Sequence, residues 1–179
     1  SDTTTHVFPV DDTGEQAGEP ISIVDDGASN ATTFSAYLQD EWKLGPTLTL
    51  NLGARYDRYA AFRTEQQLSP RANLVWQPND TLTAHIGYAR YFVPPPFELV
   101  SSTSIAKFAG TSAAPVVQDD TTPFSERQHY FDVGFQAKPS AYFTYGVDAY
   151  YRISENLLDE GQFGAPIILT PFNYAKGRI

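Results

Sequence analysis

From Thr47 to Asp57 the chain places Leu48, Leu50, Leu52, Ala54 and Tyr56 on one side and Thr47, Thr49, Asn51, Gly53, Arg55 and Asp57 on the other. A period of two belongs to an extended strand with one face in an apolar medium and one in a polar medium. The same sorting recurs along the chain. Thr33 to Trp42 sets Phe34, Ala36 and Leu38 against Ser35, Tyr37, Gln39 and Glu41, and Ser69 to Trp76 sets Pro70, Ala72, Leu74 and Trp76 against Ser69, Arg71, Asn73 and Val75. Thr81 to Tyr91 sets Leu82, Ala84, Ile86 and Tyr88 against Thr83, His85, Gly87 and Ala89. Gln128 to Ala137 sets Phe131, Val133, Phe135 and Ala137 against Tyr130, Asp132, Gly134 and Gln136. Ala141 to Arg152 sets Phe143, Tyr145, Val147, Ala149 and Tyr151 against Tyr142, Thr144, Gly146, Asp148, Tyr150 and Arg152. Phe172 to Ile179 reads as a seventh strand cut short, and nothing between these stretches reads as a long amphipathic helix. The fold class is all-β.

Tight turns are expected near 43–46, 77–80 and 138–140, where Gly45-Pro46, Pro78-Asn79 and Pro139-Ser140 supply turn chemistry. Long loops are expected near 58–68, 92–127 and 153–171, and residues 1–30, with Asp11-Asp12, Asp25-Asp26, Pro9 and Pro20, read as a further loop. Alternation by itself fits two architectures, because a soluble sandwich and a membrane barrel both bury one face of every strand. A secreted β-sandwich that binds a polysaccharide or a protein therefore stays open at this point. Three further features favour an antiparallel up-and-down transmembrane barrel. The strands run near ten residues, enough to cross a bilayer core at a tilt near 45°. Short and long connections alternate, as periplasmic turns and extracellular loops do. Aromatics gather at strand ends, with Trp42 and Trp76 beside short turns and Tyr56, Tyr88, Tyr91 and Tyr151 beside long loops, which forms two girdles. No Lys or Arg falls in the middle of the apolar face. Asp40 is the misfit; its parity is apolar, so either it lies at the interface beside Trp42 or a bulge rotates it inward.

Composition narrows the function classes. The 179 residues suit one domain, and a formal charge of −9 argues against nucleic acid, whose phosphates demand clustered Lys and Arg. The absence of Cys excludes disulfide frameworks, thiolate zinc sites and cysteine nucleophiles. No apolar run approaches the length of a spanning helix. The start, Ser1-Asp2-Thr3, lacks an initiator Met and a signal-like segment, and is expected to be a mature end or an internal cut.

Several segments, in order and spacing, resemble the barrel of TonB-dependent outer-membrane receptors of Gram-negative bacteria: Tyr37-Leu38-Gln39-Asp40-Glu41-Trp42, Leu48 to Asp57, Leu68-Ser69-Pro70-Arg71, Tyr88-Ala89-Arg90-Tyr91-Phe92, Pro94-Pro95-Pro96 and Phe172-Asn173-Tyr174. The context of Asp57, Leu68 to Arg71 and Phe163-Gly164 is similar to the large Oar-like receptors that carry a carboxypeptidase-regulatory domain. The resemblance implies a barrel of about 22 strands with a plugged lumen, an N-terminal plug outside this chain, and an energising partner, the TonB complex, reached through that plug. It implies uptake of an extracellular solute across the outer membrane, with this chain supplying wall and loops. A porin-like channel is the second alternative, after the sandwich.

Chemistry-bearing residues give little sign of catalysis. His6, His85 and His129 form no ligand spacing, and the acidic pairs Asp11-Asp12, Asp25-Asp26 and Asp119-Asp120 follow no EF-hand pattern. No Gly-x-Ser-x-Gly elbow occurs. The expectation is no enzyme, no cofactor and no metal. Arg55, Asp57, Arg71, Asp132, Asp148 and Arg152 are expected to face the lumen, with opposite signs on neighbouring strands forming cross-strand pairs. Candidate solute contacts in the extracellular loops are Tyr91, Phe92, Phe97, Phe108, Phe124, Phe163 and Phe172, and Glu126 and Arg127 sit at the mouth. Parity makes Val147→Arg damaging and Gly146→Ser mild.

Overall fold

The structure, a computed structural model, describes residues 3–25, 30–61, 63–96, 106–114, 123–161 and 170–179. A two-residue repeat with one apolar side should pair each strand with its chain neighbour, and it does. After a small hairpin of β1 (Thr3–Val7) and β2 (Ile21–Asp25), seven strands follow: β3 (Thr32–Lys43), β4 (Leu48–Ala60), β5 (Thr64–Asn79), β6 (Leu82–Val93), β7 (Glu126–Ser140), β8 (Phe143–Gly161) and β9 (Thr170–Arg178). They form one antiparallel sheet in the order β3-β4-β5-β6-β7-β8-β9, every neighbour in space being the neighbour in sequence. The sheet is open, with β3 and β9 at its edges.

Register turns the alternation into two continuous faces, because residues directly opposite in antiparallel strands point the same way. Leu38 lies across from Ala54, which lies across from Pro70. Leu50, Leu74, Ile86 and Val133 form one row that ends at Ala149, and Ala84, Phe135 and Val147 form the next. These are the positions that the period of two assigns to the apolar side. Among the described residues no second layer covers them: Leu38 is 78 % exposed and Val147 58 %, with Ile86 and Val133 also exposed. A sandwich would bury this face, so the structure does not support the sandwich alternative. Each such side chain forfeits about 1.5–3 kcal/mol when left in water, and a lipid environment removes that cost. Asp40 stays on this face, opposite Leu52 in an unbroken β3–β4 register, so no bulge turns it inward. Its carboxylate accepts the Trp42 indole N–H at 2.6 Å, beside the turn into β4.

Three loop expectations require correction. The interval 58–68 is mostly strand: β4 continues to Ala60 and β5 begins at Thr64, so a turn replaces the long loop. Arg58 and Gln66 occupy the outward parity there, which hides the strand from an apolar-polar test while leaving its backbone pairing intact. Strand β8 likewise runs to Gly161, well into the expected loop 153–171. Residues 1–30 are also more than loop. Val7 and Ile23 of the hairpin form a small buried cluster with Phe108 and Ala113 of the β6–β7 connection. Backbone bonds lock the two pieces, Ser112 N–H donating to Phe8 O at 2.7 Å and Val10 N–H to Gly110 O at 3.1 Å.

Candidate functional site

The polar face carries the chemistry. Near the end where β4 meets β5, Asp57, Tyr59, Gln67 and Ser69 are buried although polar, together with Ser125 and Ser154. Buried polar groups need partners, and Asp57, Tyr59, Ser69 and Ser125 have them, while Gln67 is bonded through Nε2 and its buried Oε1 has no partner among the described residues. Arg55 donates from Nε to Asp57 Oδ1 at 2.8 Å, and the Ser35 hydroxyl donates to the same oxygen at 2.6 Å. Gln67 Nε2 donates to Ser69 Oγ at 3.0 Å and to Tyr91 O at 2.9 Å.

Residues 123–125, just before β7, are held from both sides. The Ser125 N–H and hydroxyl both donate to Glu65 Oε2, at 2.7 and 2.6 Å, and Ser125 is fully buried. Arg127 Nη2 reaches the other Glu65 oxygen at 3.5 Å. Phe124 N–H donates to Asn173 Oδ1 at 2.7 Å, while Asn173 Nδ2 donates to Phe124 O at 3.1 Å and to Asn156 O at 2.8 Å. Asn156 has φ 55°, which turns its carbonyl out of the ladder and toward Asn173.

Further along the strands, small residues make room for large charged ones. The Asp132 carboxylate leans over Gly87, its cross-strand partner, and the Asp148 carboxylate leans over Gly134, its own partner. Both converge on His85, whose Nε2 lies 3.3 Å from Asp132 Oδ2 and 3.5 Å from Asp148 Oδ1. Arg71 lies over Gly53, where a Cβ would stand 2.7 Å from its Nε, and donates to Gln39 Oε1. The result is two hollows. One, of about 300 Å³, is lined by Gln39, Asn51, Arg71, Asn73, Tyr91 and Asp132 among others; the second, of about 460 Å³, adjoins Tyr37, Arg55, Ser69 and Arg71. Among the described residues no group of His, Asp and Glu is arranged to hold a metal ion.

All six charged residues expected on the polar side carry the polar parity, but their pairing differs from expectation. Arg55 pairs along its own strand with Asp57 rather than across strands. Arg71 meets an amide, and Asp132 and Asp148 meet a histidine. Arg152 stands opposite Tyr130, and its buried Nε has no hydrogen-bond partner among the described residues. The aromatics divide. Tyr91 is exposed on the polar face, edge-on to Tyr130 at 6.2 Å between ring centroids. Phe92 takes the opposite parity, under the Arg127 guanidinium at 5.7 Å. Phe108 is buried in the hairpin cluster at 5 % exposure and packs the loop instead of offering a ring to solute. Phe124 is exposed, with the Arg63 guanidinium 3.8 Å above its ring. Phe97 and Phe163, and the side chain of Phe172, lie outside the described residues. Sequence reasoning missed Glu65 and Asn173 as clamp residues; both fall in stretches expected to be loop or strand end, where no periodicity marks them.

The whole arrangement has close counterparts in known proteins. A family model described as TonB dependent receptor-like, beta-barrel matches residues 2–179. The TonB-dependent transporter Oar of Myxococcus xanthus is 32% identical over 82 residues, covering 40% of this chain and 8% of that protein. The siderophore receptor PirA from Pseudomonas aeruginosa superposes with a TM-score of 0.61 at 18% identity, over 87% of this chain and 27% of that one. A mutant of the ferric enterobactin receptor PfeA, also from Pseudomonas aeruginosa, superposes with a TM-score of 0.63 at 17% identity, over 92% of this chain and 24% of that one. The chain thus spans about a quarter or less of the length of these relatives. Its open sheet, unpacked apolar face and charged opposite face are what a piece of such a wall requires, and the chain belongs to the TonB-dependent receptor β-barrel family of the outer membrane.

Proposed function

We propose that this chain is part of the wall and outer loops of an outer-membrane transporter that takes up an extracellular solute, energised by the TonB complex through a plug that this sheet surrounds. The observation that carries the reading is the pairing of a bare apolar face with a charged opposite face on one sheet. Lipid satisfies the first, and a solvated interior satisfies the second. Arg55, Asp57, Arg71, Asp132, Asp148 and Arg152 then line the lumen, the turns at 44–47, 80–81 and 141–142 face the periplasm, and the β6–β7 connection that holds Phe124, with Tyr91 near the end of β6 that leads into it, faces outward. The work is binding and passage, with no bond made or broken in the solute, so neither enzyme chemistry nor a cofactor is invoked.

The chain has no Cys, so a single introduced thiol is unique within it. In the intact receptor on whole cells, a membrane-impermeant maleimide is expected to label Thr13→Cys, in the β1–β2 hairpin loop, and to spare Tyr142→Cys, in the β7–β8 turn. Transport is tested by mass spectrometry of spent medium, where one solute should be depleted only when both the receptor and TonB are present. Labelling of Tyr142→Cys alone would reverse the orientation. Depletion without TonB would favour the porin-like alternative.

A further inference from the structure

We propose that the outer rim of the apolar face binds a phosphorylated, multiply acylated sugar lipid of the outer leaflet, its phosphates on Arg58, Arg90, Lys176 and Arg178 and its acyl chains on the bare face below. This rests on the orientation proposed above, with the β6–β7 connection outside the cell, and names a lipid partner for the side of the sheet that faces away from the pathway.

Register places all four cations on the apolar side of the sheet. Arg58 stands opposite Gln66, which accepts from the Tyr56 hydroxyl at 2.7 Å. Arg90 stands opposite His129, whose Nδ1 lies 3.0 Å from the Tyr88 hydroxyl. His129 in turn faces Ile153, Ile153 faces Arg178, and Glu155 faces Lys176. Tyr56, Tyr88 and Tyr151 mark the outer edge of the apolar band, and Arg58 and Arg90 each follow their tyrosine by one same-side step. Ile153 and Glu155, the partners of Arg178 and Lys176, are the next same-side residues after Tyr151. One such step is about 6.6 Å along a strand and about 5 Å of depth at a tilt of about 45°. The cations therefore stand just beyond the hydrocarbon, at the depth of the headgroups.

The charge of this rim runs against that of the chain. In a sequence of net charge −9, four of the 12 Lys and Arg collect here. Arg58, Lys176 and Arg178 are exposed, and the Arg90 Nε is buried without a hydrogen-bond partner among the described residues. Among those residues no carboxylate forms an ion pair with any of the four. Glu155, between Arg127 and Lys176, and Asp159 further out share the side, and the rim stays net positive. Arg127 has the same parity but sends its guanidinium to Glu65, so it is not counted. Guanidinium suits phosphate because its N–H groups meet two oxygens at once. Below the rim Leu38, Ile86, Val133 and Val147 are exposed and suit acyl chains. A free phosphate uses the rim and leaves the face bare; an uncharged lipid does the reverse. A lipid with both phosphates and several chains uses both, and the five spacings from β4 to β9, about 24 Å along the sheet, give room for a disaccharide head and the chains it carries.

The experiment is native mass spectrometry of the intact receptor in detergent micelles with bisphosphorylated lipid A, monophosphorylated lipid A and phosphatidylethanolamine. The bisphosphorylated form is expected to be retained most, the monophosphorylated form less and phosphatidylethanolamine least, with millimolar inorganic phosphate displacing none of them. The combined variant Arg58→Gln, Arg90→Gln, Lys176→Gln and Arg178→Gln should bind bisphosphorylated lipid A at least about tenfold more weakly, whereas Lys138→Gln, beside the β7–β8 turn, should bind it unchanged. Should the combined variant lose its folded, heat-modifiable band, the single variants Arg58→Gln and Arg178→Gln, at exposed positions, carry the test, each with a smaller loss. Equal retention of phosphatidylethanolamine, displacement by inorganic phosphate, or undiminished lipid A binding by the folded variants would each overturn the assignment. Micelles offer lipid to every part of the outer surface, so none of these outcomes depends on which end of the sheet faces out of the cell; a reversed orientation shows only in the thiol labelling.

Discussion

Glu65 and Asn173, on strands that lie four places apart in the sheet, hold adjacent residues: Glu65 takes the Ser125 amide and hydroxyl, and Asn173 takes the Phe124 amide and carbonyl. On a flat sheet four spacings amount to about 19 Å, beyond the combined reach of the two side chains and the dipeptide. The sheet therefore bends toward its polar face, and residues 124 and 125 are pinned inside the bend. Removing one anchor leaves a buried donor without a partner, at a cost of about 1–3 kcal/mol. Glu65→Ala should speed amide hydrogen exchange at residues 124–127 of the intact receptor by one to two orders of magnitude while strands β3 and β4 remain protected. Unchanged exchange at Ser125 would show that the clamp carries no stability.

The apolar face gives a depth-dependent prediction. Val147 lies on the apolar face of β8, four residues after the strand begins at Phe143 and opposite Phe135, and arginine there should cost about 2–4 kcal/mol if the residue meets the bilayer midplane. The fraction of receptor that runs as a folded, heat-modifiable band on a gel should fall for Val147→Arg. Lys43→Arg, which keeps the charge beside a turn, should leave that fraction unchanged.

Glycines on the polar face differ in how much they can give. A Cβ at Gly134 would press on the Asp148 carboxylate and approach His85 Cε1 at 2.7 Å, both side-chain atoms that can move. At Gly146 the neighbour is the Phe135 carbonyl oxygen at 2.8 Å, which belongs to the adjoining strand. The parity argument made Gly146→Ser mild; the backbone contact corrects this, since β7 and β8 would have to part. Gly146→Ser should lower the denaturant midpoint of the receptor by more than Gly134→Ser, each within about 1–3 kcal/mol, with Gly45→Ala, which meets nothing within 4 Å, near zero.

Asp11 organises the turn between β1 and β2. Its carboxylate accepts from the Thr13 hydroxyl at 2.6 Å, the Thr13 N–H at 2.9 Å and the Glu15 N–H at 3.0 Å. The Thr13 hydroxyl bond first, then the backbone donors, hold its pKa below the ordinary 3.8. A lowered pKa in the folded turn means that the bonds stabilise it fully above the unfolded pKa of 3.8 and are lost as pH falls through the lowered value. Protection of the Thr13 and Glu15 amides, measured as the exchange rate relative to that of an unstructured peptide at the same pH, should therefore be high at neutral pH, fall in strong acid, and be low at every pH in Asp11→Ala.

The strands were legible because lipid imposes a strict demand: Leu50, Leu74, Ile86 and Val133 must all point one way, and a single residue's slip would reverse them. The demand ends where the bilayer ends. Beyond Tyr56 on β4 and Leu68 on β5, Arg58 and Gln66 stand on the outward side in water, so the backbone pairing continues with no pattern to announce it. Charge partners were less legible still. Parity puts Arg55 and Asp57 on one face, but whether an ion pair forms along a strand or across it depends on what stands opposite. Ser69 opposite Arg55 and Ser35 opposite Asp57 carry no charge, and Ser35 bonds both members of the pair instead of replacing either, while glycines opposite Asp132 and Asp148 let both swing to His85. The hairpin cluster at Val7, Ile23, Phe108 and Ala113 joins positions a hundred residues apart through single apolar residues in polar surroundings, too sparse for periodicity to detect.

Every strand from β3 to β9 pairs only with those before and after it in the chain. A wall of that kind has a modular grammar: one hairpin can be duplicated or deleted without disturbing the register of any other. The circumference of the pore then changes in steps of two strands, and lineages can widen or narrow it by copying a unit that already contains both a membrane side and a water side.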